Sequence, residues 1–497
     1  MGYWSVNENE ALSQLLTTPL FINGEDFMMA YLNFLRKTAC LYALLVSPLC
    51  LNASSAEAAA PQMKLSGDLQ VEIVYNDKTA KLDVDAPTWK VVIDEEYESL
   101  PVYNPSAVPW GRGRVLRGVN ACECSVFGAL EPESVVVKLE STGETLTRGK
   151  DYEFEDSSGA LGRLEGGKIA ADSVVLTSYR CIESRIDSIV VDELGGIALV
   201  PGKPSVLSPE PPVLKEGQRR LGNVYLTGRT DKLSDASLFP VDEVFAKELN
   251  SLDANAFVEN VDRYYAENGG HEVASVSTVG AAKKYLPKTW AKLTSGEEVR
   301  ILAWGDSVTA CGYLPDDQRW QVKFVERLQA MFPNAKITLM TEAWGGRSSD
   351  SYRNEPTGSP KNYKEKVLAL KPDLIVSEFV NDAYMNEETV AQKYGEMKAD
   401  FEANGMEWII LGPHYVRPDW MGLGSERDVD NDPRPLVKGL REFTTVNNVP
   451  FADAPSLYGK LWRAGIPYNT LMTNNINHPN AFGMELFAAA LARLFEE

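Results

Sequence analysis

The sequence predicts an α/β protein in two parts, a sandwich-like all-β region followed by a three-layer domain with a parallel sheet between helices. Three observations carry this expectation. From about Leu65 to Gly228 apolar residues recur with period two between turn signals. From Thr289 onward short apolar runs alternate with stretches of helical periodicity, the pattern of a parallel sheet covered on both faces. Between these regimes, Pro201 to Pro212 holds five prolines and no periodicity, the mark of a stiff connector or sheet-edge loop.

At the amino-terminal end, Arg36-Lys37, the apolar run Thr38 to Leu51 and the small residues Asn52 to Ala56 form the basic, apolar and small zones of a secretory signal. Residues 1–56 are therefore expected as a signal region, with the start at Met28 or Met29 and cleavage near Ala56. The run is broken by Pro48 and is shorter than a spanning helix requires, so no membrane span is expected in the mature chain. A secreted or periplasmic location follows. Neither Cys40 nor Cys50 has the neighbours of a lipoprotein signal.

Within 65–228, Ser134–Leu139, Asp151–Glu155, Ser173–Tyr179 and Asp187–Val191 read as strands, and Gly195-Gly196 reads as a hairpin turn between Val191 and Ile197. Short strands at regular spacing imply an antiparallel sandwich or barrel. Over 229–290, Phe245, Leu249, Leu252, Val258, Val261 and Tyr265 fall at mostly helical spacing and stop at Gly269-Gly270, which predicts a helical bridge. In 291–497 the strands are expected at Val299–Trp304, Lys336–Met340, Leu374–Phe379, Trp408–Leu411 and Val449–Phe451. The helices are expected at Arg319–Met331, Glu387–Ala403, Leu436–Thr445, Leu457–Ala464 and Ala481–Phe495.

With 497 residues, 44% of them hydrophobic, the chain can bury more than one core. A net charge of -21 argues against nucleic acid or an anionic membrane surface as a partner, because neutralising phosphates needs a basic face. Removal of the signal leaves Cys122, Cys124, Cys181 and Cys311. Export would permit a disulfide between Cys181 and Cys122 or Cys124. Cys-x-Cys without further ligands nearby is a poor zinc site, and Cys311 reads as a small buried hydrophobe. There is no phosphate-cradling glycine loop, metal-ligand cluster or Gly-x-Ser-x-Gly elbow, so no metal or organic cofactor is implied.

Four segments of the second part fall just after predicted strands or just before the last helix. Gly305-Asp306-Ser307 ends the first strand and offers a hydroxyl at the carboxyl edge of the sheet, although Gly, Asp and Ser also make ordinary turns and caps. Trp344-Gly345-Gly346-Arg347 follows the second strand, and its paired glycines let a backbone N–H approach an oxyanion. Asn381-Asp382 follows the third strand with a side-chain amide donor. Asn475-Ile476-Asn477-His478-Pro479-Asn480 precedes the last helix and offers a base. The chain holds three histidines, so a serine that needs imidazole activation has few candidates. Of these, His271 sits in a polar loop and reads as incidental, while His414 follows the fourth strand and reads equally as substrate contact or packing.

This order of Gly305-Asp306-Ser307, a glycine after strand two, Asn381-Asp382 and His478-Pro479-Asn480 resembles the SGNH-hydrolase superfamily, the GDSL esterases, over roughly the last two hundred residues. The run Gly346-Arg347-Ser348 resembles the second block of rhamnogalacturonan acetylesterase-like members. The resemblance implies a flavodoxin-like domain and a serine esterase acting on O-acyl, foremost O-acetyl, groups of carbohydrate. Ser307 would be the nucleophile and His478 the base. The Ser307 N–H, the Gly346 N–H (Gly345 in the alternative register) and the Asn381 side chain would form the oxyanion hole.

Two positions depart from that pattern. Phe379 stands where the third block usually has glycine, and Asn475 stands where an acid usually precedes the histidine by three residues. Three readings follow: a Ser-His dyad oriented by the neutral Asn475, a distant acid such as Asp453 reaching His478, or an inactive glycan-binding protein. Trp344, Tyr384, Tyr415 and Trp420 are expected at the mouth, where aromatic faces could stack on sugars. Arg347 and Arg417 could pair with a uronic-acid carboxylate or with surface acids. The partner expected is an acylated carbohydrate or small ester. A general lipase or arylesterase is the competing enzyme, and a surface glycan-binding module working through the β region is the competing non-enzyme.

Overall fold

The computed structural model describes residues 60–241, Ala254, Phe257, 274–424 and 432–496. The expected secretory signal and, of the expected helical bridge, residues 242–273 other than Ala254 and Phe257 lie outside these residues.

The carboxy-terminal region is built on five strands: β1 (Glu298–Gly305), β2 (Lys336–Ala343), β3 (Leu374–Glu378), β4 (Glu407–Leu411) and β5 (Phe451–Ala452). They lie in the order 2-1-3-4-5 with every pairing parallel. This is a doubly wound sheet of flavodoxin type, whose order reverses between β1 and β3. Its inner strands read as continuous apolar runs because both faces are covered. Alternation along β1 divides the core accordingly. Ile301 and Ala303 pack with Phe324 and Leu328 of α2 (Trp320–Met331), Leu457 and Leu461 of α5 (Ala454–Arg463) and Phe487 of α6 (Ala481–Ala492). Leu302 and Trp304 face Tyr394 and Phe401 of α3 (Glu387–Ala403) and Phe443 of α4 (Pro435–Asn447). The remaining short helix that matters, α1 (Ser307–Ala310), follows β1 directly.

Helix starts show where local signals outrank periodicity. Helix α5 begins ahead of its predicted position because Asp453 caps it, accepting from Ser456 N–H, and Pro455 sits in its first turn. A helix at Pro287–Ser295, opened by proline and closed by Gly296 in the left-handed conformation, was not expected from sequence.

Antiparallel strands run from Gln62 to Pro240 in several small sheets. They surround two separate cores, one around Tyr97, Leu130, Val137, Val175 and Tyr179 and the other around Val71, Ile73, Ile189, Leu221 and Val224. The all-β character expected from the alternation is present, with the strands distributed over several small antiparallel sheets. The hairpin at Gly195-Gly196 forms with Val191 opposite Ile197, and Gly195 takes φ +77.

The proline-rich connector is more than a spacer. Ser208 Oγ donates to Met472 O at 2.8 Å and Thr470 Oγ1 donates to Pro209 O at 2.5 Å, so it lies against the segment that leads to His478. Asn223 of the antiparallel region adds a buried hydrogen bond to Gly465 O. Among the described residues no helix is long and apolar enough to cross a membrane.

Candidate active site

Ser307 stands at the carboxyl end of β1, where the strand order reverses and open α/β sheets hold their ligands. Glycine is required before it: a Cβ on Gly305 would lie 2.1 Å from Thr309 Oγ1 and 2.4 Å from Glu378 O. Asp306 then caps α1, its Oδ1 accepting Val308 N–H at 3.0 Å. Ser307 is half-buried, and its Oγ lies 3.1 Å from His478 Nε2. As the first residue of the helix, Ser307 has no helical carbonyl to receive its own N–H.

The imidazole is held by its loop. Asn474 Oδ1 accepts three successive amides, those of Ile476, Asn477 and His478, at 3.0, 2.9 and 2.9 Å. Thr473 N–H donates to His478 O at 2.8 Å. The Tyr313 ring stacks on the imidazole with centroids 4.4 Å apart. On the far side, Oε2 of Glu123 lies 2.9 Å from Nδ1, a contact that has hydrogen-bond length without hydrogen-bond angle. Burial lowers the His478 pKa and the Glu123 carboxylate offsets part of that fall. The ring is therefore neutral at neutral pH, the state a general base needs.

On the other side of Ser307, Asp306 Oδ2 accepts both the N–H and the side-chain amide of Asn381, at 2.9 and 2.8 Å. One Nδ2 hydrogen is thereby used and the other is left for a ligand. Trp344 to Arg347 form a turn closed by Arg347 N–H to Trp344 O, with Gly346 at φ +71. Gly345 lies against the serine, for a Cβ there would be 3.6 Å from Ser307 Cβ. Among the described residues neither glycine N–H has an acceptor.

Beneath this surface Asp306, Glu378 and Asp382 are wholly buried. Asp382 is satisfied by Ser349 and Tyr394, whereas among the described residues neither oxygen of Glu378 has a hydrogen-bond partner. Burial, reinforced by the neighbouring carboxylates, pushes Glu378 well above its usual value of 4.5. Glu378 is thus the protonated member, leaving Asp306 to act as the acceptor. Below pH 4.5 both folded and unfolded Glu378 carry the proton, and as pH rises beyond it only the unfolded chain ionises freely. Stability then falls by about 1.4 kcal/mol per pH unit until the folded pKa is reached. Glu378→Gln, which has no proton to lose, gains on the parent as pH rises from about 5 to about 8. Urea unfolding at both pH values measures this, and an equal difference at both would refute the neutral Glu378.

The other expected residues divide sharply. Asp453 does not reach His478: it pairs with Arg441 at 2.9 Å and caps α5. Asn475, with φ +63, lines a cavity of about 360 Å³ with Phe127, Arg417 and Tyr468 and makes no hydrogen bond to Nδ1. His414 is fully buried, its Nε2 set 2.7 Å from Asn477 O, and burial lowers its pKa to about 3. It braces the histidine loop and cannot touch a substrate. Tyr415 is likewise buried, its ring edge-on to Trp462 at 4.8 Å, instead of standing at the mouth. Trp344 is half-buried under the exposed Arg347, whose guanidinium lies 5.0 Å from its ring. Arg417 is tied to Asp419 at 2.6 and 2.9 Å, which leaves its charge already paired. Phe379 turns into the core, 4.8 Å from the Trp304 ring, and does not shape an acyl pocket. His271 lies outside the described residues.

All four described cysteines are free, so the disulfide that export would permit is not formed among them. Cys181 is buried with its Sγ 3.4 Å from Gly118 O, while Cys122 is exposed at a hairpin tip. Cys311 is buried, and burial pushes its thiol up to about 11, in keeping with an unreactive core residue. Glu123 was missed because nothing local marks it: its turn has neither glycine nor asparagine, and its partner lies in another region of the chain.

No family model and no curated protein matches the chain. Similar solved structures include a two-domain esterase active on acetylated mannans, 20% identical where aligned, with a TM-score of 0.34. That alignment covers 43% of this chain and 53% of the other, so the chain spans about half the length of that relative. An acetyl xylan esterase is 16% identical over 39% of this chain and 97% of its own, with a TM-score of 0.31. A lipase/acylhydrolase from Enterococcus faecalis is 22% identical over 39% and 94%, with a TM-score of 0.29. Other solved structures similar to part of this chain include one described as a putative lipolytic protein of the G-D-S-L family and one described as a putative SGNH hydrolase.

Proposed function

We propose that the chain is a serine esterase that removes O-acyl groups, acetyl foremost, from carbohydrate. The observation that carries this reading is the 3.1 Å approach of Ser307 Oγ to a neutral, buried His478 Nε2 at the switch point of the sheet. In the first step Ser307 Oγ attacks the ester carbonyl carbon as its proton passes to Nε2. The oxyanion is held by the Ser307 N–H, the Gly345-Gly346 backbone and the free hydrogen of Asn381 Nδ2. Collapse of the intermediate returns the proton to the departing sugar oxygen. Water, deprotonated by His478, then attacks the acyl-serine and releases the acid.

Carbohydrate is supported by the resemblance of Gly346-Arg347-Ser348 and by the exposed rings of Tyr384 and Trp420, which offer faces for a sugar. The test is acetate release by the full chain from acetylated mannan, acetylated xylan and short and long acyl esters. Turnover that falls as the acyl chain lengthens is expected. A folded protein that hydrolyses none of these would overturn the reading in favour of a glycan-binding module.

Asn475→Asp is expected to leave turnover unimproved, because the side chain lines the cavity beside Phe127 and Arg417 and a carboxylate there would not meet Nδ1. A clear gain in kcat would show that the histidine loop itself can supply the missing charge.

A further inference from the structure

Nδ1 of His478 needs an anionic or at least a polar neighbour, and among the described residues the loops of its own domain do not provide one. Asn474 is consumed by three backbone amides, Asn475 lines the cavity and Asp453 belongs to Arg441. The group 2.9 Å away is Glu123, from the antiparallel region. Among the described residues Glu123 has no other ion-pair partner.

Its presentation is built. Asn120-Ala121 pairs with Cys124-Ser125, leaving Cys122-Glu123 as a two-residue tip. Cys122 takes φ +54, a left-handed conformation that a residue with a side chain rarely adopts. Strain of this kind persists only where the surroundings fix it. Here they do. The Arg117 and Gly118 amides donate to the hydroxyls of Tyr97 and Tyr179, each at 2.8 Å, and both hydroxyls donate to the Glu95 carboxylate. Val126 N–H donates to Val119 O at 2.9 Å and closes the base of the hairpin.

We propose that Glu123, carried by the all-β region, is the positioning residue that orients His478 and stabilises its imidazolium, the part an acid within the histidine loop would otherwise play. This rests on the esterase reading above. A proton fixed on Nδ1 leaves the Nε2 lone pair facing Ser307, and the carboxylate opposes the charge that appears when Nε2 takes the serine proton. The contact lacks hydrogen-bond angle, and the Glu123 side chain, 60% exposed, has room to rotate into line with Nδ1. The same exposure screens its charge. The expected contribution is therefore roughly 10- to 100-fold in rate, below the roughly ten-thousand-fold of a fully buried acid. Among the described residues the ionisable groups around the ring are Glu123, the stacked Tyr313 and the buried, neutral His414; Cys122 lies beside Glu123.

The experiment compares full-length Glu123→Gln and Glu123→Asp with the parent, using pH profiles of p-nitrophenyl acetate hydrolysis and an NMR titration of the His478 imidazole. With three histidines in the chain, that signal is readily assigned. In Glu123→Gln the proposal expects kcat to fall roughly 10- to 100-fold with KM little changed. The acid limb of kcat/KM and the His478 titration should both move to lower pH, since the anion that raises the pKa is gone, and Glu123→Asp should recover part of the rate. Unchanged kcat and titration overturn the proposal while the esterase reading stands. A fall in kcat with no movement of either pH readout also overturns it, as the mark of a merely structural side chain. A parent with no ester turnover, whose His478 titration still shifts in Glu123→Gln, sinks the esterase reading and leaves the Glu123–His478 linkage supported.

Discussion

Ser307→Ala is expected to lower ester turnover by roughly a million-fold, and His478→Ala by a similar factor, the scale on which such paired groups act in serine hydrolases. The geometry sets this expectation. The two side chains meet at 3.1 Å and each is useless to the reaction without the other: an unassisted hydroxyl is a poor nucleophile, and an imidazole without the serine has only water to activate. The double variant should therefore be no worse than either single one. Ser307 Oγ bonds to His478, so its loss should cost no more than about 1 kcal/mol of stability. Rate assays paired with thermal unfolding separate chemistry from folding, and intact-mass detection of a fluorophosphonate adduct on the parent but not on Ser307→Ala identifies the reacting oxygen. If Ser307→Ala kept more than about one percent of parental turnover, another nucleophile would have to be sought.

Much of this site is legible in the sequence because its parts sit at strand ends. Gly305-Asp306-Ser307, Trp344 to Arg347 and Asn381 each follow an apolar run, and a parallel sheet gathers the carboxyl ends of its strands at one edge whatever the loops do. The expected α3 agrees with the observed Glu387–Ala403, where Asn386 caps it, while short helices such as Ser349–Asn354 and Tyr363–Lys366 span too few residues to show a period. The side chains of His414 and Tyr415 were not legible. A residue after a strand can turn to solvent or to the core, and only the packing of Tyr458, Trp462 and Phe487 against them decides it. Glu123 was the least legible of all, since a contact between separate regions leaves no periodicity, spacing or turn residue to read. In the antiparallel region the all-β character was legible but the sheet partners were not: alternation marks strands and does not say which of several short strands share a sheet.

Asn381→Ala is expected to lower kcat by about 100- to 1000-fold, or about 2.7–4 kcal/mol of transition-state stabilisation, with KM changed far less. Nδ2 is fixed before any substrate arrives, because one of its hydrogens is held by Asp306 Oδ2 at 2.8 Å. A donor fixed in this way needs no reorganisation as charge develops on the oxyanion, so its benefit falls on the transition state more than on the bound ester. The truncation is also clean. The Asn381 N–H still donates to Asp306 at 2.9 Å and Val308 N–H at 3.0 Å, so the buried carboxylate keeps two of its three donors. Losing the third should push the already raised pKa of Asp306, about 7, further upward. Protonation would cost Asp306 an acceptor for those amides, so the variant's residual activity should decline faster than the parent's as pH falls. Steady-state kinetics across pH decide the matter. A variant whose KM rises while kcat holds would make Asn381 a ground-state binding group, and one with parental kinetics would remove it from the oxyanion hole and leave that task to the backbone of Ser307 and the glycine pair.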